Sequence, residues 1–496
     1  MGKNDTEAYF NQEWSAGDDD VNIEKQGSLN WGQGEQREMQ WGESDPLLDE
    51  VGDRRPGIHY ITALGNLCLG VLGAGQLTLP YAFASAGLIL GIVFLGVLGV
   101  VAVVVLEILA KLMKGYPSAN NYGDVLDMTL GPKWRNFANV ILMLYVWGGG
   151  ISFFLVLKQE WQALSEQFDF GICGACLLGL ECTFIVFPLS LFKDLSKLRF
   201  TSYLGAFSAI CITFTVVYTA PWSDDGGLVI CGGVEEDSDG DIDSNVELDI
   251  GPQGIIFTIN ALPLMAFALN SAWCYLAILA QQKTVISLGY DESGKDEQKS
   301  YEMPSEMAIQ VPILGAKSLI LVNYFILSII GYLSYCNETQ SNILQNLGTS
   351  PLVVFARSVL IIQLTLALPL RYNVMRTTII DGLLGNYKHL WEDDTKKDIA
   401  MKVFVTFVTV FSACGIAAAV DSLETTVGLT SSICASFIIY IFPALCYRHM
   451  LYEFDDQSLF KRVASVTLAA WGFILMIAGV TAIICSIALG LTVVAG

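Results

Sequence analysis

Gly73-Ala74-Gly75, with Pro80 five residues on, interrupts an apolar run that otherwise reads as a membrane helix. Glycine is a weak helix former, and proline removes a backbone donor. In lipid such a break is tolerated only where it lines protein or a cavity. The chemistry it offers is that of freed backbone groups. N–H groups at the start of the second half-helix, on the positive end of its dipole, suit an anion, and freed carbonyls suit a cation or an ammonium. Gly73, Ala74 and Gly75 are read as the break and Gln76 to Ala84 as the second half, with helix packing by small residues as the plainer alternative. A second interrupted run, GIIFTINALPLMAFALNSAWCYLAILAQQ (254–282), carries Pro263 and the pair Asn270-Ser271. Such polar side chains are costly in a span unless hydrogen-bonded. Titratable groups inside apolar runs are few. Glu107, Glu181 and Asp421 each lie near a run's end, where capping or snorkelling is the plainer role, and Arg371 lies deeper than Arg376.

The elements that must hold these residues follow from composition. The chain has 496 residues, 53% hydrophobic and 15% charged, against about 25% charged in soluble domains. A span needs about 20 mostly apolar residues. Eleven runs qualify, near 59–86, 88–112, 136–158, 172–191, 201–220, 254–281, 315–336, 351–377, 400–420, 427–447 and 465–492. The expected fold is therefore all-α and polytopic, with 11 transmembrane helices in residues 58–492. Residues 1–57 form an acidic tail that cannot bury enough apolar surface to fold and is expected to be disordered. Its start lacks the basic-then-apolar pattern of a cleavable leader. Within it, Glu43-Ser44-Asp45-Pro46-Leu47-Leu48 has the form of an acidic dileucine sorting motif.

The formal net charge of −22 is concentrated in that tail and in the loop 221–253, and no basic patch exists to neutralise phosphates. Nucleic acid is thereby excluded as a partner. No nucleophile–base pair and no metal cluster is evident, so neither an enzyme nor a cofactor or metal is expected. Nothing repeats to form a pore ring, which disfavours a channel. The cationic residues set the orientation. With the N-terminus in the cytoplasm, the inner side collects Lys111, Lys114, Lys283, Lys317, Lys402, Arg448 and others, while the outer side shows only Lys158, with Arg357 inside the start of a span. The sequon Asn337-Glu338-Thr339 and the acidic loop 221–253 both fall outside, marking Asn337 for glycosylation. The run Asp237–Asp243 lacks the Gly and Glu that a calcium loop places at its sixth and twelfth positions, so it reads as a solvated loop. Cys231 and Cys336 lie on that outer side and are candidates for a disulfide, with Cys173 and Cys176 as rival partners.

Six segments, in order, resemble the amino acid/auxin permease family of the amino acid–polyamine–organocation group. They are GNLCLGVLGAGQLTLPYAFASAG (65–87), YGDVLDMTLG (122–131), LPLMAFALNSAW (262–273), GYLSYCNETQSNIL (331–344), LALPLRYNVMR (366–376) and VDSLETTVGLTSSICASFIIYIFPALCY (420–447). The resemblance implies a LeuT-like five-plus-five inverted repeat with broken helices 1 and 6 and an eleventh helix. It also implies amino acid transport by alternating access across a lipid bilayer. Carried over, backbone at Leu72, Gly73, Ala74 and Gly75 would hold the substrate carboxylate, and Phe267, Asn270, Ser271 and Tyr145 would line the side-chain end. For coupling, Leu69 stands where sodium-coupled relatives carry an Asn, three residues after Asn66, while Thr365 keeps a hydroxyl near their eighth-span ligand. One ligand kept and one lost favours a proton or facilitated exchange over sodium. A neutral substrate is expected, because no charged side chain is evident beside the breaks. The alternatives are a sodium-coupled neutral amino acid symporter and an amino-acid-sensing transceptor signalling through the tail with Trp14, Trp31 and Trp41. A vacuolar, lysosomal or plasma membrane is the expected location.

Overall fold

Gly131 fixes the corner on which the central helix is hung. Its φ of +94° is open to glycine and strained for other residues, and Pro132 directly behind it starts a helix with its fixed φ. A computed structural model of the protein describes residues 54–55, 60–192, 201–223, 227–233, 251, 254–290, 297–385, 395–455 and 458–489. The dileucine signal at Glu43, Leu47 and Leu48 and the acidic run Asp237–Asp243 lie outside these residues.

The first span is three pieces, α1 (Tyr60–Val71), α2 (Ala74–Leu77) and α3 (Leu79–Ala86). Then come α4 (Leu88–Gly115), the short α5 (Tyr122–Leu130), α6 (Pro132–Gln167), α7 (Gly174–Leu191) and α8 (Thr201–Thr219). The sixth span is α9 (Ile255–Leu269) followed by α10 (Ala272–Gln282). The chain closes with α11 (Glu306–Tyr335), α12 (Pro351–Thr377), α13 (Thr395–Ala419), α14 (Leu423–Glu453) and α15 (Leu459–Leu489).

Among the described residues nine helices are long and apolar enough to cross a bilayer. Two of the eleven expected runs fall short of that, for physical reasons. The first is cut at Gly73, and the fifth offers only the short apolar stretch Tyr203–Thr219. The most apolar stretches of α6 and of α9–α10 are 78% and 83% buried, whereas those of α4 and α15 are 28% buried. The former pair therefore forms the centre and the latter two the lipid-facing rim. The spanning part is helical as expected. The exception is a small antiparallel sheet in which β1 (Arg54–Arg55), ahead of α1, pairs with β2 (Thr284–Tyr290) and β2 with β3 (Glu297–Glu302), the latter two lying between α10 and α11. Arg54 pairs with Ile286 and Val285 with Tyr301, so the end of the expected disordered tail is a strand.

The C-terminal end of α6 and the N-terminal end of α12 are locked by charge. Glu160 is fully buried and accepts from Arg357 Nη1 at 2.9 Å and from Asn342 Nδ2 at 2.7 Å. Arg357 Nη2 also donates to the Leu344 carbonyl at 2.6 Å. Glu160 escapes a reading that ends the third span at Lys158, because the helix continues to Gln167. Two disulfides close, Cys231–Cys336 and Cys173–Cys176, so the latter two cysteines pair with each other and are not rivals for Cys231. Asn337 follows Cys336 in a 3-10 turn and is half-buried, with the Thr339 hydroxyl donating to the Cys336 carbonyl.

Two outcomes test this frame. Glu160→Gln leaves the Arg357 charge buried without its counter-ion, a loss of about 3–5 kcal/mol seen as a lower Tm in detergent. Cys231→Ser opens a link between residues 105 apart and costs about 2–5 kcal/mol. Cys173→Ser, which opens a link between residues only three apart, costs much less by the same measurement.

Candidate functional site

Both expected breaks are present, and they face each other. At the first, α1 ends at Val71, and Gly73 is extended (φ 173°, ψ −147°), a conformation any residue adopts. What demands glycine is close approach. A Cβ on Gly73 would stand 2.5 Å from the ring of Phe153, and one on Gly75 would stand 2.9 Å from the Ala268 backbone and 3.0 Å from Phe267. Thr78 bridges α2 and α3, with its hydroxyl donating to the Gly75 carbonyl at 3.0 Å. Pro80 sits in the first turn of α3, where its missing donor costs little. At the second break Asn270 (φ −77°, ψ 108°) and Ser271 separate α9 from α10, and Asn270 Oδ1 caps the second half by accepting from Ala272 N at 3.0 Å. Pro263 lies inside α9 and not at the break.

A break in lipid must return its carbonyls to partners, and here side chains supply them. Trp273 Nε1 donates to the Gly70 carbonyl at 3.1 Å, and Gln363 Nε2 donates to that of Leu72 at 3.3 Å. The Tyr324 hydroxyl lies 3.4 Å from the Val71 carbonyl and 3.2 Å from that of Ala268, so it touches both breaks. The ammonium of Lys317, 1% exposed, donates to the Leu269 carbonyl at 2.6 Å. The charge count places Lys317 on the inner side, two residues into the expected run 315–336. The structure corrects this, because α11 starts at Glu306 and carries Lys317 three turns into the protein. Beside the second break a cavity of about 10 Å³, room for about one water, is lined by Asn270, Ser271, Lys317 and residues of α4 and α14.

Tyr145 of α6 is buried with its ring 5.8 Å from that of Phe267 and 6.4 Å from that of Trp273. The structure thus gathers Leu72, Gly73, Ala74, Gly75, Tyr145, Phe267, Asn270 and Ser271 about the two breaks. Thr365 donates its hydroxyl to Glu181 and lies 2.6 Å from the Ile361 carbonyl; Asn66 is half-buried in α1; and the side chain of Leu69 lies outside the described residues. Glu181 is not the snorkelling or capping group expected of it, because it stands near the middle of α7. It is 6% exposed, and accepts from Thr365 and Trp161 Nε1 with no cation among its described partners. Asp421, by contrast, pairs with Lys158 at 2.8 Å in the open.

Arg371 is the residue that sequence reasoning noticed for its depth and did not place. It is buried with its guanidinium 4.3 Å from the Phe153 ring centroid and 5.0 Å from that of Trp273, and Nη1 has no hydrogen-bond partner. Arg376, five residues on, is fully engaged with the Ser190 carbonyl at 2.7 Å and Asn373 Oδ1 at 2.5 Å. Cation–π contact is worth roughly 2 kcal/mol when desolvated, while burying an unpaired ion costs several kcal/mol. The two rings do not offset that burial. The expectation of a neutral substrate rests on the absence of charge beside the breaks. Arg371 stands there, so that ground is gone.

Apolar helices around two facing broken spans define a membrane transporter of the broken-helix class. Residues 56–285 and 296–485 match the family described as Transmembrane amino acid transporter protein, and the chain belongs to that family. A relative, vacuolar amino acid transporter 6 of Saccharomyces cerevisiae, is 24% identical over 335 residues, an alignment spanning 66% of this chain and 66% of that one. Among solved structures, MhsT in complex with L-phenylalanine superposes with a TM-score of 0.50 at 13% identity, covering 87% of this chain and 99% of that one. That likeness establishes the fold, the LeuT-like arrangement the sixfold resemblance implies.

The approach of the two breaks is directly testable. Gly75→Leu drives a side chain into Ala268 and Phe267, with an expected overpacking cost of about 1–3 kcal/mol. The expected outcome is a protein that still folds but shows no Tm shift with any amino acid. An unchanged ligand response would show that the breaks are packing features alone.

Proposed function

We propose that this protein is a secondary transporter of amino acids working by alternating access, driven by a proton or by exchange and not by sodium. The observation that carries the reading is the occupation of the freed carbonyls at both breaks by protein donors. Sodium needs several oxygens turned inward at one point. Here the Lys317 ammonium already holds the Leu269 carbonyl, and Tyr324, Gln363 and Trp273 hold the others. The hydroxyl of Thr365 is likewise committed to Glu181. What is left for a ligand is the start of α2, where the Gln76 N–H bonds the Gly73 carbonyl at 3.3 Å and the Ala74 and Gly75 N–H groups have no preceding helical turn to bond to. To these are added the partnerless Asn270 Nδ2 and Ser271 Oγ. This set suits the α-carboxylate and α-amino group of an amino acid, with Leu72, Gly73, Ala74 and Gly75 at the carboxylate and Asn270 and Ser271 near the rest.

Glu181 is the group for the proton. It is a buried carboxylate held by two neutral donors, an arrangement that tolerates both protonation states better than the Glu160–Arg357 pair does. The face bearing Lys114, Lys283 and the small sheet lies in the cytoplasm with the N-terminus. The two disulfides and Asn337 face an oxidising lumen or the exterior of a vacuolar, lysosomal or plasma membrane.

Counterflow of labelled amino acids in proteoliposomes tests the reading. Exchange is expected without sodium, and an imposed proton gradient is expected to drive accumulation. Glu181→Gln should keep exchange and lose proton-driven accumulation by roughly 10-fold or more. Sodium-dependent uptake would overturn the coupling, and no exchange with any amino acid would overturn transport.

A further inference from the structure

We propose that Arg371 reads the substrate's side chain and that the substrate is a dicarboxylic amino acid. This rests on the transport reading and adds a second anchoring point to it. The backbone of the two breaks serves groups common to every amino acid. Arg371 approaches from another wall, on α12 and against α6. Phe153 joins the two places. Its ring is what a Cβ on Gly73 would strike at 2.5 Å, and the guanidinium carbon lies 4.3 Å from its centroid. One aromatic ring therefore separates the first break from the guanidinium. The second break borders it too, because a Cβ on Gly149 would lie 2.7 Å from Arg371 Nη1 and 3.7 Å from Phe267. A molecule seated between the breaks has the guanidinium at its far end.

The neighbours of Arg371 leave it unneutralised. From α6 come Tyr145, Gly149 and Phe153, from α10 Trp273 and Cys274, and from its own helix Tyr372. None of these is a carboxylate, and no described carboxylate pairs with it. The rings of Phe153 and Trp273 contribute π-faces but cannot accept the in-plane N–H donors of a guanidinium. Glycine at 149 lets Nη1, which lacks a partner, pack directly against the backbone of α6. An arginine fork in that setting is satisfied by a carboxylate, which accepts two parallel bonds and cancels the charge. A side-chain amide of the same shape accepts but cancels nothing, and an aliphatic side chain does neither. The expected order is glutamate or aspartate, then glutamine or asparagine, then alanine or leucine.

The isosteric pairs make the test. Full-length protein in proteoliposomes is assayed by counterflow with labelled glutamate, glutamine, aspartate, asparagine and alanine. The acid is expected to exceed its amide in kcat/KM on the order of 100-fold. Arg371→Gln should reduce that ratio to within about 3-fold, while Arg371→Lys should keep the preference with a kcat/KM lower by roughly 10-fold, since an ammonium is a point charge without the fork. A second measurement does not depend on any variant folding: glutamate should raise the Tm of the wild-type protein and glutamine at equal concentration should not. Exchange and Tm shifts with neutral amino acids at least as strong as with the acids would overturn the inference and leave the transport reading standing. An unchanged acid-to-amide ratio in Arg371→Gln would also overturn it. No exchange with any amino acid would overturn the transport reading itself.

Discussion

A helix broken inside a bilayer has to return its carbonyls to something, and the rest of this structure is arranged around that demand. Each orphaned carbonyl would cost several kcal/mol in hydrocarbon. Five of the carbonyls at the two breaks are met by side-chain donors from the sixth, seventh and eighth spans: Trp273, Tyr324, Lys317 and Gln363. The breaks are therefore tied to α11 and α12 as tightly as to each other. Tyr324 is the sharpest case, since one hydroxyl lies between the Val71 and Ala268 carbonyls and so links both half-helices.

The buried charges sort by what each one lacks. Glu160 and Arg357 have each other and a set of amides. Lys317 has a carbonyl at the break, and Arg376 has the C-terminal carbonyls of α7. These four are architectural, because removing any one would strand its partner. Glu181 and Arg371 differ, as neither has an opposite charge among the described residues. Burying either group without a counter-ion costs stability that apolar residues filling the same space would not.

The positions of both breaks were legible in the sequence, because Gly73–Gly75 and Asn270–Ser271 punctuate apolar runs locally. So was the helical class, which needs only span-length hydropathy. What surrounds the breaks was not. Lys317 is counted at the inner edge of the run 315–336 by hydropathy alone, which does not see that the helix begins at Glu306. Glu160 falls past the apolar limit of the third span, yet its helix runs on to Gln167. Thr365 aligns with a ligand position, but its hydroxyl turns to Glu181, a contact between residues 184 apart that no local pattern encodes. The sheet at 284–302 joins strands too short for alternation to stand out, and while the pair Cys231–Cys336 is expected, the pairing of Cys173 with Cys176 is not.

The triplet Gly148-Gly149-Gly150 in α6 shows how the fold brings those distant groups together. A Cβ on each would strike a different neighbour: the Thr430 side chain, Arg371 Nη1 and the Tyr372 hydroxyl. Small residues let membrane helices approach closely without a hydrophobic drive between them. Here three in succession admit α14 and α12 to the same stretch of α6, directly below Phe153 and beside Tyr145. The close approach places Arg371 of α12 between Phe153 of α6 and Trp273 of α10. A bulkier residue at 149 would hold α12 away, and the guanidinium would then lose its position over the rings. Missing side chains thus allow close approach in two places, at 73–75 against Phe153 and α9 and at 148–150 against α12 and α14.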